Sequence, residues 1–425
     1  MHVREFFDPL GRWRCTQFGR FFDQFVEQCR KIIVRVEGAD TRRPSVGADK
    51  FRNAVAYELA HPRYVTEVDT DPLALGQRVV AILETGVRTA TYKLATLSAL
   101  VDHCVENVPT DPTAEIAVPL DDLADRVIEI YWRQVRPFDG RALRQSTGSR
   151  ARILAAVESV RAVVGDVSYP LGRAQAPHAV YEAARAEVVL TLVQQPLYRL
   201  QRLPGAAGSA SETFLYDDSW MHSGVGPRVI AAHGNQIVLR PGVAAGLAQL
   251  SGLLKPTLEI LWVEDVRRMN RFLDEDVPDV AGHLFGRQRI SLGPARLALK
   301  EVFGARCFYC DAALGNDNPV DHVLPWSRVG IDGLANLVLA CGRCNSSKSQ
   351  LLPAVEHAER ALGRDRPALE NIAAAIEWPT QFDRTVAAAR GLYLSTPNNS
   401  PTWLGVGRII GLDRGFVPKG IDYVG

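Results

Sequence analysis

Apolar residues recur at three- and four-residue steps through the middle of the chain, a spacing that predicts helices. Val87, Leu94, Leu97, Val101 and Cys104 fall on one such stripe. Leu123, Val127 and Ile130 mark a second helix, with Asp121 as its expected cap. Ile153, Val157, Val160 and Val164 mark a third. The stretch AVYEAARAEVVLTLV reads as a fourth, expected to stop at Gln194-Gln195 because proline at 196 disfavours helix in the residue before it. The texture then changes. PLYRLQ, TFLYDD, PRVIAA and QIVLR are short and β-prone, and His233-Gly234-Asn235 predicts a hairpin turn between the last two. PGAAGSAS, between the first two, reads as a loop. Helix returns in LKPTLEILWVEDVRRMNRFL. There Leu258, Leu261, Trp262, Val266, Met269 and Leu273 form an apolar stripe, with Arg267, Arg268 and Arg271 off it. Nearer the N-terminus, FFDQFVEQC reads as a buried helix face and KIIVRVEG as a strand. DEDVPD reads as a boundary, and a helical tail follows Pro353 and ends in STPNNSPTW.

Composition narrows the class. A chain of 425 residues suffices for two or three domains with real cores. A net charge of +1 creates no global field toward nucleic acid or membrane, so a polyanion site has to be a local patch. The start, MHVREFFDPLGRWR, carries charges where a signal peptide needs an apolar core. No uninterrupted apolar run approaches the roughly 18 residues of a membrane span. The expectation is a soluble, cytoplasmic protein. Its seven cysteines are an odd count that argues against a disulfide framework.

Four of those cysteines carry chemistry. Cys307 and Cys310 form one C-x-x-C, Cys341 and Cys344 another, with thirty residues between the pairs. Two such knuckles can surround one tetrahedral Zn²⁺ with every position filled, a structural arrangement. Two disulfides or a thiol redox pair are the alternatives, and matched pairs in a chain without a secretion signal favour metal. Between the knuckles stand Asp321-His322 and then Asn336, while Asn345 follows the last cysteine directly. An imidazole titrates near neutral pH and can accept a proton from water. A carboxylate and an amide oxygen suit a hard cation such as Mg²⁺ or Mn²⁺. Arg343 and Lys348 are candidate phosphate contacts, equally readable as solvated surface charges. Residues 286–350 hold eight Lys and Arg against five Asp and Glu, a small local excess.

The pieces C-x-x-C, DHVLPWS, NLVLAC and C-x-x-CNSSK, in that order, resemble the HNH nuclease superfamily over about residues 300–352. The resemblance implies a ββα-metal core inside a zinc clamp formed by Cys307, Cys310, Cys341 and Cys344. It implies His322 as general base and Asn336 as the residue orienting its loop. Asp321 and Asn345 become ligands of a catalytic Mg²⁺ or Mn²⁺. Asn345 stands where the signature often has histidine, which weakens the fit to softer transition metals. Implied too are DNA as partner, cleavage to a 3′-hydroxyl and a 5′-phosphate, and a role in restriction, phage defence or mobile-element biology. A zinc module that only binds nucleic acid, and a nuclease acting on RNA, remain the competing expectations.

The expected fold is therefore α+β. Residues 1–75 are poorly readable. Residues 76–280 should be mainly helical, with a small antiparallel β insertion near 196–240 and a recognition or control role. The nuclease domain should span 296–352 and a helical tail 353–425. Arg390 and Tyr393 are candidates to reach the site from that tail. Trp326, Phe308 and Tyr309 read as core.

Overall fold

The computed structural model describes residues 71–85, 88–148, 151–164, 170–171, 178–203, 210–211, 213–273, 279–286 and 290–413. The expected N-terminal helix and strand, Cys15, Cys29, and most of PGAAGSAS and DEDVPD lie outside them.

Helices dominate. The first four are α1 (Pro72–Thr85), α2 (Tyr92–Glu106), α3 (Leu120–Gln134) and α4 (Arg152–Val164). Next come α5 (His178–Leu192), the short α6 (Pro227–Ala232) and the long α7 (Val243–Met269). Helix α2 is the hub, because Leu94, Leu97, Leu100, Val101 and Cys104 are fully buried and it packs against α3, α7 and the tail. The apolar periodicity produced this, since each stripe finds another stripe to cover it. Leu258, Trp262 and Val266 of α7 are buried as expected, while Arg267, Arg268 and Arg271 face solvent.

Five expectations are corrected here. The fourth helix does not stop at Gln194-Gln195: a π-helical turn, Val193–Leu197, carries Pro196 inside it and runs on through Tyr198–Leu200. A wider turn spares the main-chain bonds that proline cannot make, so PLYRLQ is largely helical rather than β. PRVIAA is helical as well, with Pro227 at its first position, where proline's missing N–H costs nothing. No hairpin joins it to QIVLR. Instead, strand β4 (Gln236–Leu239) pairs antiparallel with β1 (Ile116–Pro119), from Ile116 opposite Leu239 to Pro119 opposite Gln236. Finally, Pro119 rather than Asp121 caps α3, and Asp121 sits in the first turn, favourably placed toward the helix dipole. A second ladder, β2 (Arg202–Leu203) with β3 (Ala210–Ser211), completes the β insertion.

Past α8 (Val280–Phe285) and α9 (Gly293–Phe303) come two strands and a helix. Strand β5 (Val320–His322) pairs antiparallel with β6 (Leu337–Leu339), with the short α10 (Trp326–Val329) between them, and α11 (Gly342–Lys348) follows. The tail holds α12 (Val355–Leu362), α13 (Arg366–Ala375) and α14 (Phe382–Ser395). It closes in a hairpin, β7 (Pro401–Gly405) with β8 (Arg408–Gly411), so STPNNSPTW leads into a strand rather than ending in turns.

The tail returns to both earlier regions. Arg384 of α14 bonds Glu106 of α2 at 2.9 Å and Glu129 of α3 at 2.6 Å. Gly391 lets α14 touch α2 closely, since a Cβ there would lie 1.6 Å from the Val105 carbonyl oxygen. Leu369, Ile372 and Trp378 share a core with Leu334, Leu337 and Leu339. No helix of the described residues is long and apolar enough to cross a membrane.

Candidate functional site

The four knuckle cysteines converge. Their sulfurs all lie within 4.8 Å of one another, and none forms a disulfide. Zn–S bonds of about 2.3 Å in a tetrahedron place sulfurs about 3.8 Å apart. Cys310 Sγ and Cys341 Sγ are 3.8 Å apart, and the four sulfurs lie close enough together for one zinc ion to gather them. Cys341 caps α11, with its Sγ accepting from the Cys344 amide at 3.5 Å, and its own amide donates to Cys307 Sγ at 3.3 Å. Burial works against a Cys341 thiolate, but the Cys344 amide and the neighbouring thiols outweigh it and hold Cys341 at about 7. A thiolate is the form a metal needs. Trp403 of β7 packs on Cys307 and Cys344, so the clamp has an apolar wall.

Strand alternation sends Asp321 and His322 to opposite faces of β5. On one face, Asp321 Oδ2 accepts from the Tyr309 hydroxyl at 2.6 Å and pairs with Lys348 Nζ at 3.0 Å. Burial, reinforced by the adjacent Asp321 carboxylate, keeps Tyr309 protonated and able to donate. Lys348 also donates to the His322 carbonyl at 2.7 Å. Burial lowers the Lys348 ammonium from its usual value, and Asp321 opposes that shift. Lys348 is 0% exposed, which corrects its reading as a phosphate contact: it is an internal strut between α11 and β5. Tyr309, expected in the core, is half-buried, and its hydroxyl has this polar task.

On the other face, His322 Nε2 lies 2.7 Å from Asp332 Oδ1, and the His322 side chain is 12% exposed. Asp332 Oδ2 takes Trp326 Nε1 at 3.2 Å and an ion pair from Arg133 of α3. An ion-paired carboxylate only accepts, so the ring proton belongs on Nε2 and the basic lone pair on Nδ1. Arg133 also sits over the Trp326 ring, 5.0 Å from its centre, and Trp378 Nε1 donates to the Asp332 carbonyl at 2.8 Å. Sequence reading missed Asp332 and Arg133. Asp332 lies in the GIDG segment between the two strands, and Arg133 is 199 positions away, where no local spacing points to it.

Asn336 is fully buried and clasps the loop after His322. Its Oδ1 accepts from Leu324 N at 2.8 Å, while Nδ2 donates to the Leu324 and Ile331 carbonyls at 3.1 Å each. Arg364 from the tail bonds the carbonyls of Leu334, Ala335 and Leu337, bracing the same turn. Asn345 is half-buried, one helical turn before Lys348 on α11, and therefore on the helix face that meets β5. Arg343 is exposed on α11. The tail candidates do not enter the site: Arg390 donates to the Val108 carbonyl, and Tyr393 is buried with its hydroxyl on the Pro353 carbonyl.

Two family models match the chain. The HNH endonuclease family matches residues 307–351, the segment holding the clamp and the ββα unit. A domain of unknown function, DUF8808, matches residues 72–278, the helical region. Comparison with curated proteins and with solved structures gave no match. The chain thus joins an HNH domain with a four-cysteine cluster to a mostly helical region bearing small antiparallel sheets.

Proposed function

We propose that this chain is a metal-dependent endonuclease that hydrolyses phosphodiester bonds of DNA through its HNH domain. The observation that carries this reading is the pairing of an oriented imidazole with a carboxylate on opposite faces of one strand, beside a helix that adds an amide oxygen. His322 receives a proton from the attacking water at Nδ1. Asp332 holds the ring through Nε2–H and stabilises the imidazolium that forms, as a carboxylate does for any histidine base. Asn336 fixes the loop so that the ring keeps its place. Asp321 and Asn345 would hold Mg²⁺ or Mn²⁺, and a bound ion would neutralise the phosphate and the departing oxygen. Arg343, exposed on the same helix, is the phosphate contact in this scheme. A large helical module joined to such a nuclease suits restriction, phage defence or mobile-element biology.

A second reading is a zinc module that binds nucleic acid without cutting it. Its support is Lys348, whose ammonium takes one oxygen of the carboxylate a catalytic metal would need. Plasmid nicking with Mg²⁺, Mn²⁺ or chelator, for wild type and His322→Ala, decides between them. The nuclease reading expects metal-dependent nicking by wild type and a loss on the order of 10²–10⁴-fold in the variant, with zinc content retained. Equal nicking by both proteins, or none by wild type on DNA or RNA, refutes it.

A further inference from the structure

The helical region contains a cavity of about 250 Å³ that the nuclease scheme does not use. Four cations border it: Arg88, Lys93, Arg152 and Arg199. Arg88 is paired with Asp265 at 2.7 Å, and Arg152 with Glu187 at 2.6 Å. Among the described residues, neither Lys93 nor Arg199 has a carboxylate within ion-pair distance. The positive charge is therefore only half compensated. Burial lowers the Lys93 ammonium from its usual value, and Arg199 and Arg88 lower it further. Lys93 is half-buried and Arg199 exposed, so solvent screens part of this repulsion, and an anion between them would relieve the rest.

Three further features point the same way. Thr191 lines the cavity, is 1% exposed, and its hydroxyl has no hydrogen-bond partner. A buried hydroxyl left without a partner costs free energy that a ligand atom would recover. The first turn of α2, at Tyr92 and Lys93, forms part of the wall and carries no acidic residue, so the helix dipole adds to the positive field. Gln195 and Pro196, also in the wall, belong to the π-helical turn, a distortion that costs helix geometry and recurs at ligand sites.

We propose that this cavity is a phosphate-binding site, separate from the HNH site and independent of whether that site cuts DNA. Its volume lies just below the roughly 300–1,000 Å³ of pockets that enclose a whole drug-sized ligand. It suits the phosphate end of a nucleotide, or one backbone phosphate of a strand. Lys93 and Arg199 supply the charge, and Thr191 donates its hydroxyl to a phosphate oxygen.

The test uses the full chain at low salt. Melting is followed with pyrophosphate, with ATP and without ligand, and duplex DNA affinity is measured in parallel. The proteins are wild type, Lys93→Gln/Arg199→Gln and Thr191→Val. A ligand that binds only the folded state raises the melting temperature. Wild type should rise by several degrees with pyrophosphate or ATP, and both variants should lose most of that rise. Thr191→Val should melt no lower than wild type without ligand, because the hydroxyl it removes is unpaired; this keeps the test valid should the double variant fold poorly. Loss of the small-phosphate response with duplex affinity unchanged assigns the site to a free nucleotide. A fall of tenfold or so in duplex affinity for the same variants assigns it to a strand's own phosphates. Equal responses in wild type and both variants, or binding of neither small phosphate nor DNA by wild type, overturn the proposal.

Discussion

His322 and Asp332 face each other across 2.7 Å, and the carboxylate is itself fixed by Arg133 from a helix of the other region. The ring is thus oriented by a group supplied within its own domain and neutralised from outside it. Asp332→Asn keeps the size but removes the charge, and its amide can present an N–H where the ring expects an acceptor. Nicking should fall on the order of 10–100-fold with DNA affinity nearly unchanged. Unchanged nicking would detach Asp332 from the chemistry.

Arg133→Leu tests the other half of that relationship. Both side chains are buried, so removing the cation strands a carboxylate in the interior. The expected loss is about 3–5 kcal/mol of stability, read by denaturant unfolding, and Asp332→Asn in the same chain should recover part of it. An additive double variant would show that the two groups do not interact.

Lys348 and Asp321 form a second buried pair. In Lys348→Met, Asp321 is left without its cation, and the zinc-loaded fold should weaken by about 3–5 kcal/mol in the absence of Mg²⁺. Mg²⁺ should restore part of that loss if Asp321 is a metal ligand, because the ion replaces the missing charge. Thermal melts of the variant with and without Mg²⁺ check this. No metal response would remove Asp321 from the proposed metal site.

The cysteine cluster makes a prediction about zinc and acid. Metal binding requires thiolates, so protons compete with zinc as pH falls. Zinc retention, measured by metal analysis after dialysis, should fall as pH is lowered, because protons displace the metal from the thiolates of Cys307, Cys310, Cys341 and Cys344. Cys344→Ser should bind less zinc and expose the clamp region to protease. A variant with full zinc content would exclude the four-sulfur site.

A buried histidine contributes to the pH dependence of the helical region's stability. His103 is 3% exposed and burial, foremost, lowers it from 6.5. The unfolded chain binds that proton first, so the stabilising contribution is complete above 6.5 and is lost as pH falls toward the depressed folded value. His103→Gln should flatten the decline of melting temperature between about pH 7 and 5. An unchanged slope would exonerate this residue.

Much of this was legible in the chain, for physical reasons that differ by segment. The stripes on α2, α4 and α7 were readable because burial follows helical period, and the knuckles because metal ligation tolerates few spacings. The DHVLPWS and NLVLAC segments were legible through their resemblance to HNH nucleases, which implied the ββα unit that β5, β6 and α11 form. The β insertion was misread where decisions are non-local: QIVLR chose Ile116–Pro119 as partner rather than its neighbour PRVIAA. Lys348 was misread because exposure is a property of packing, not of residue type. Asp332 gained its meaning only when α3 brought Arg133 to it.

The closing hairpin changes how the HNH segment should be pictured. Trp403 donates through Nε1 to Ser347 at 3.0 Å, its backbone bonds Leu352 and Ala354, and its side chain packs in one cluster with Cys307 and Cys344. The fifty residues after the motif are therefore part of its housing. A fragment excised at residue 352 would lose a wall, and the motif, although compact in sequence, is not a portable cassette.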